Sequence, residues 1–414
     1  AGAREDLANE VGGLARLSLL AARRRIAVKP ELDRPRWAEP PVDRVTRRVV
    51  LIGRFSETVE GDLAVVSEAV GTAYDETAEA IATLAVGEDP LLVRLGPSVG
   101  AISQLDAWLL LRSQLRREDL EAFHVAVLKV LTESDPRHDL APEEQWQAGV
   151  LGKVRAYSGD LRQGLATTLA LMGAYGDDQI AGARLNGRDW AAWIVRQVLE
   201  AANAAETASL WASLDDVVPL LAEAAPDEFL DGVRIGLAGP EPLLSKLFVD
   251  DKRLSSLFTG TAHSGLLWAL ERVSWSEERF GAVVDLVARW AEVDPGGSFA
   301  NRPQATLADF FRAWFPQTSV NAERRLAAID RLRERHAGIS WQLLLDLLPG
   351  LHSHAMPIAA PEFRDWRQRD EPSNADVAGF YEAVTDRAIK DAGADSERLA
   401  VLVDQLPSLP PEGR

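Results

Sequence analysis

The sequence contains no cysteine. That absence removes disulfides, thiol nucleophiles and thiolate metal ligands together. No apolar run approaches the ~18 residues that a membrane-spanning helix needs. The uncharged stretch from Gly164 to Gly176 is among the longer ones and is too short. Positive charge is in deficit, because 45 Lys and Arg face 63 Asp and Glu, for a formal net charge of -18. A surface of that sign repels phosphate backbones and anionic membranes, so neither nucleic acid nor membrane is an expected partner. Glu5, Asp6 and Glu10 interrupt the N-terminus, which therefore does not read as a signal peptide, and the expected location is cytoplasmic. A Walker A loop is also missing. Gly152-Lys153 is the only Gly-Lys pair, Gln147 stands where the first glycine belongs, and Val154 replaces the Ser or Thr. No cofactor is expected.

What is present points to a folded, helical chain. Hydrophobic residues make up 47% of 414 positions, enough for two or three domains or one extended array. The opening AGARED lacks an initiator Met and starts inside an apparent helix, as an excised piece of a larger chain would. Nine of the twelve Trp lie between Trp190 and Trp366, where they suit helices that need large buried anchors. Residues 2 to 26 read as two short helices closing on Arg23, Arg24 and Arg25, and the Pro-rich stretch 28 to 42 as an extended crossing. Further helices are expected at 106–115, 118–131, 158–173, 190–205, 215–225, 227–237, 242–248, 265–273, 277–293, 321–336, 341–348 and 395–406, with Thr72-x-x-Asp75 and Ser373-x-x-Asp376 as capping-box starts and Gly338 as a stop. The fold expected is all-α, an irregular helical-repeat (HEAT-like) array with one small β-hairpin near residues 91–102. The polar, Gly-rich run 177–188 marks a boundary, giving an N-terminal helical domain (1–176), a repeat array (177–366) and a C-terminal cap and tail (367–414).

Few residues suggest chemistry. Gly96-Pro97-Ser98-Val99-Gly100 matches the G-x-S-x-G pattern, which requires strand, sharp turn and helix, with His124 or His138 as base. Pro97 restricts that turn, so a simple turn is the plainer reading. His352-x-His354 offers two metal ligands, with Asp346 and Glu362 the nearest acids and no third ligand at helical spacing, so no metal site is assigned. The pairs Asp177-Asp178, Asp215-Asp216 and Asp250-Asp251 read as solvated caps. No catalytic residue is assigned and the chain is not expected to be an enzyme. Arg94, Asp106, Trp108, Lys153 and Arg162 lie beside turns or helix starts, either as ion pairs holding helix ends or as contacts with another domain. The densest stretch runs from Asp294 to Thr318. A turn and a polar loop lead to an aromatic helix that Pro316 stops, with Phe310, Phe311 and Phe315 expected to face the core. That leaves Asn301, Arg302, Trp314 and Gln317 as protein-binding candidates, since Arg and aromatic anchors dominate interfaces.

Three stretches resemble a known class: RLGPSVGAISQLDAWLLL (Arg94 to Leu111), GKVRAYSGDLRQGLATTLALMGAYG (Gly152 to Gly176), and the Asp294 to Thr318 run with its NRP and WFPQT elements, extended to ISWQLLLDLLP. They are similar to the helical region that follows the ATPase in bacterial STAND-type, NLR-like defence ATPases, over most of residues 10 to 366. In such proteins the ATPase switches oligomeric state, an N-terminal effector acts on the cell, and the helical array senses a trigger. The resemblance implies a non-catalytic sensor that binds a protein ligand or partner domain in antiviral defence. It also implies oligomerisation through an ATPase domain whose motifs this sequence does not hold. Val99 stands where an aromatic is expected, which puts a carried-over role for Gly96 to Gly100 in doubt. Two other roles compete: a serine hydrolase using Ser98, and a plain structural scaffold.

Overall fold

The computed structural model describes residues 35–86, 90–248, 262–297, 301–348, 355–366 and 372–405. The expected helices over 2–26, the pair Asp250-Asp251 and the His352-x-His354 motif lie outside those residues. The described chain is all-α, with seventeen α-helices and one three-stranded sheet. It divides into two compact units, Ala1–Phe229 and Leu230–Arg414.

In the first unit a 3-10 turn (Arg36–Ala38) leads to α1 (Arg44–Ile52), whose first turn is capped by Asp43 accepting from Thr46 N at 2.9 Å. Strand β1 (Arg54–Ser56), α2 (Glu60–Val70) and α3 (Tyr74–Leu84) follow, then the hairpin β2 (Leu92–Leu95) and β3 (Ser98–Ala101). The two-residue turn Gly96-Pro97 carries φ +61° at Gly96, a positive φ of the kind a type II′ hairpin needs at its first central residue. β3 is the central strand, antiparallel to both β1 and β2. Next come α4 (Gln104–Leu111), α5 (Arg117–Leu131), α6 (Gly159–Tyr175), α7 (Gly187–Ala204), α8 (Ser209–Ser213) and α9 (Val218–Ala224), and the division between the units falls within α10 (Pro226–Gly236).

Helix α6 is the axis of this unit. It packs against α1, α4, α5, α7, α9 and β1. Its buried residues include Leu161, Leu165, Leu169 and Met172 along with Ala166, Ala170 and Leu171, so it is covered on nearly every side. Two glycines allow the closest approaches. A Cβ at Gly164 would stand 2.4 Å from Arg54 N, and one at Gly173 only 1.9 Å from Ala224 O. Asp62, fully buried, ties the sheet to the start of α6 by accepting from Ser56 N (2.8 Å) and Ser158 N (2.9 Å). The polar run 177–188, expected as a boundary, is instead a loop inside this unit: Arg188 N donates to Gly176 O (3.0 Å), and α7 returns along α6.

The second unit is built differently. A 3-10 turn (Leu243–Leu247) precedes α11 (Ala262–Ser274), α12 (Phe280–Glu292), α13 (Pro303–Phe311), α14 (Ala322–Arg335), α15 (Ala337–Asp346), α16 (Asn374–Ala392) and α17 (Ser396–Gln405). Most helices pack on the next and the next but one: α11 on α12 and α13, α12 on α13 and α14, and α14 on α15 and α16. That is the neighbour-only packing of an irregular helical-repeat stack. Phe280, Val283, Val284, Val287 and Trp290 form the buried stripe of α12, and the Phe280 ring meets those of Phe310 (6.2 Å) and Phe311 (5.6 Å). An irregular segment, Ala355–Trp366, lies over these helices as a strap. Glu271 accepts from Ala359 N (2.7 Å), Trp275 Nε1 donates to Ala359 O (3.1 Å), and Gln317 both accepts from Ile358 N (2.7 Å) and donates to Met356 O (3.0 Å).

Local expectations fail in two places and hold in a third. Helix α3 starts after Ala73, and the Thr72 hydroxyl meets that of Thr77 (3.0 Å), so no capping box forms there. Gly338 does not stop a helix: α14 and α15 abut at His336, which ends one and begins the other. The Ser373–Asp376 capping box does form at the head of α16.

Candidate recognition site

The loop between α13 and α14 carries the aromatic residues that set this stretch apart. Pro303 opens α13 at its first position, where a missing N–H costs nothing. The helix ends at Phe311 because Arg312 turns extended (φ −57°, ψ 110°), and Arg312 Nη1 holds that exit by donating to Asp346 O at 2.7 Å. Phe310 and Phe311 are buried as expected. Phe315 is not. It falls beyond the helix end and, like Trp314, is 41% exposed, with the two rings 5.9 Å apart.

The four binding candidates separate accordingly. Trp314 is the exposed one. Arg302 is buried, its Nη1 2.7 Å from Asp294 Oδ1 and its guanidinium 5.4 Å above the Phe248 ring, so it fastens the start of α13. The Asn301 carbonyl accepts from His263 Nε2 (2.9 Å). Gln317 is buried and holds the strap. Arg302 and Gln317 thus serve internal contacts.

Beside the exposed pair lies a cavity of about 380 Å³. Ala313 and Pro316, the residues immediately flanking Trp314 and Phe315, line it, and Val320, Val377 and Phe380 add apolar wall. The first turns of α14 and α16 contribute Asn321, Glu323 and Asp376, all exposed, so the cavity communicates with solvent. Its volume falls at the low end of the ~300–1,000 Å³ of ligand pockets.

Arg325 also lines this cavity, and it is the residue that the sequence reading missed. It is only 4% exposed. No carboxylate pairs with it among the described residues. Nη1 reaches Arg312 O at 3.5 Å, Nη2 reaches Thr318 Oγ1 at 3.3 Å, and Nε has no hydrogen-bond partner. Both contacts are longer than ordinary N–H···O bonds, and a guanidinium has five N–H groups to satisfy. Burial, with no compensating charge, pushes its pKa down to about 10. A sequence signal existed: Arg325 shares one face of α14 with Ala328, Ile329 and Leu332, a lone cation on the apolar stripe.

The five candidates for contact with another domain all have partners inside the first unit. Arg94 Nη2 lies 3.1 Å from Glu57 Oε1, and the half-buried Lys153 lies 3.1 Å from Asp139 Oδ2. Asp106 is buried in the first turn of α4, its amide donating to Ser103 Oγ (3.2 Å). Trp108 is buried against Gly187. Arg162 is 0% exposed. It holds Asp216 through Nε (2.9 Å) and Nη2 (2.8 Å) and donates to Val130 O and Ser213 O. Burial alone would raise Asp216, but Arg162 and Arg155 hold it below the usual carboxylate range. Around Lys153 the loop carries Trp146 (65% exposed), Val150 (89%), Leu151 and Val154, an apolar surface that the sequence reading also passed over.

Ser98 opens β3 of the hairpin, with a strand after it where a nucleophile elbow needs a helix. Its hydroxyl donates to Asp160. His124 pairs with Gln197 (3.3 Å) and stacks on Trp193, and His138 sits among Asp135, Arg137 and Arg155, so neither bonds Ser98. Among the described residues there is no group of three or more His, Asp or Glu placed to hold a metal, and no helix long and apolar enough to cross a membrane. No protein-family model matches the chain, and neither a curated protein nor a solved structure matches it.

Proposed function

We propose that the chain is a non-catalytic helical interaction module that recognises a partner protein at the Trp314–Phe315 edge and the cavity beside it. One observation carries this reading: two exposed aromatic rings lie next to a cavity whose walls begin at their immediate neighbours. Large aromatics beside a pocket are the usual anchors of protein interfaces. The loop that presents them is held by Arg312 and Gln317, so little ordering cost remains at binding. The resemblance to the helical region of STAND-type ATPases supports a cytoplasmic sensor in anti-phage defence, with a protein trigger as ligand. The exposed apolar loop from Trp146 to Val154 supports a second contact, with a partner domain.

The test is affinity capture from cells with and without phage challenge, comparing the wild-type chain with Trp314→Ala and Phe315→Ala. Both side chains are partly exposed, so each variant should keep its melting temperature. A challenge-dependent protein held by the wild type and lost by the variants supports the site. Equal retention removes the site, and no challenge-dependent protein at all leaves only the scaffold role. Ser98-dependent labelling by a fluorophosphonate would overturn the non-catalytic part.

A further inference from the structure

The cavity beside Trp314 has a specific chemical demand. Arg325, almost fully buried, lines it with no carboxylate partner among the described residues. The first turns of α14 and α16 line the same cavity, and helix N-termini carry partial positive charge. Asn321 and Ser373 cap these helices, each accepting one backbone N–H, from Arg324 and Asp376. Apolar wall comes from Ala313, Pro316, Val320, Val377 and Phe380. The exposed acids Glu323 and Asp376 set a limit on charge. The Asp376 carboxylate is occupied by Ser373 N and Oγ, but it keeps its charge near the opening.

We infer that this cavity binds a singly charged carboxylate carried on an apolar group, with Arg325 as its counter-charge. The inference deepens the reading of the Trp314–Phe315 edge as a recognition site and rests on it for the claim that the carboxylate belongs to a partner protein. A guanidinium with unused N–H groups matches a planar two-oxygen anion. A doubly charged phosphate would meet two acids for one cation, so the second charge is disfavoured. The apolar walls then take the carbon skeleton. A carboxylate there supplies the charge that burial otherwise denies the guanidinium, whose pKa of about 10 marks that deficit.

The probes are N-acetyl-leucine, N-acetyl-leucinamide (the same skeleton without the charge), acetate and inorganic phosphate, titrated into the full chain by calorimetry. The wild type should bind N-acetyl-leucine saturably, more tightly than acetate and far more tightly than the amide. Arg325→Met keeps an unbranched apolar stem and should weaken that binding by at least about tenfold. If Arg325→Met does not fold, Val377→Trp fills the cavity from a half-buried position and should abolish binding instead. The inference is overturned if N-acetyl-leucine fails to saturate, if the folded variants bind it unchanged, or if phosphate binds more tightly. Failure here is separable from failure of the proposed function. Loss of partner capture by Trp314→Ala with no carboxylate binding leaves the surface and removes its ligand chemistry. Carboxylate binding without a partner protein points to a free acid as the ligand.

Discussion

Two buried carboxyl groups show how one residue type can carry opposite pH dependence. Glu271 accepts from Ala359 N and Thr306 Oγ1 and has no cation partner among the described residues. Burial pushes it up to about 7 against those hydrogen bonds, with nearby Asp309 adding to the rise. Its folded pKa therefore lies above that of the unfolded chain, and the folded state holds the proton more tightly between them. The stability this proton confers is complete below about pH 4 and is lost as pH rises through 7. Glu271→Gln removes the titration. Urea unfolding should show the variant gaining on wild type, by on the order of 1–3 kcal/mol, between about pH 5 and about pH 8. Parallel pH profiles would refute the shift. Asp119 is the reverse. Burial would raise it, but Arg47 (2.7 Å) and Arg48 (2.9 Å) hold it below the usual range. Its contribution is present at neutral pH and is lost as pH falls through the lowered pKa. Asp119→Asn strands the buried Arg47 and should cost roughly 3–5 kcal/mol in the same assay at neutral pH. Residue-level legibility was uneven for a physical reason. Arg302 and Gln317 sit at the two ends of α13 in loops whose composition looks exposed, yet Gln317 meets a partner 39 residues away in sequence, which no local pattern reveals. Arg325 was readable from its place on an apolar stripe.

At the scale of elements, α6 makes a sharper prediction than its sequence would. In an exposed helix, Gly→Ala stabilises by up to about 1 kcal/mol. At Gly173 the added methyl would lie 1.9 Å from Ala224 O, so helix and neighbour must separate. Gly173→Ala should lower stability by roughly 1–3 kcal/mol, and a gain in melting temperature would disprove the close approach. Helices with one apolar face were legible from their 3.6-residue period, and the 91–102 hairpin from its turn. The central role of α6 was not, because a helix covered on nearly all sides shows little contrast between faces. Strand β1 was missed as well. It is three residues long and is defined by its pairing with β3 across more than forty positions of chain.

The whole molecule carries a charge of -18, and much of its arginine is committed to internal pairs. Self-repulsion among the remaining acids should then respond to screening. Raising NaCl from about 10 to about 200 mM should raise the melting temperature by roughly 2–4 °C. A fall would mean that attraction between ion pairs dominates. The helical class was legible from composition and period, whereas the division at Phe229 and Leu230 was not. The polar run 177–188 has the composition of a linker, but the packing of α7 and α9 on α6 decides the matter, and that packing is tertiary.

The strap over the second unit has a consequence for the order in which that unit assembles. Its bonds to Trp275 and Glu271 close intervals of 84 and 88 residues. Contacts at such separation gain nothing until the intervening chain has been gathered, so they form late in folding. Hydrogen bonds from irregular backbone to a few side chains are also among the least cooperative to hold. The amides of Ile358 and Ala359, gripped by Gln317 and Glu271, should therefore gain protection after those of α11 and α12 as the unit folds and exchange before them when it loosens, which hydrogen exchange checks.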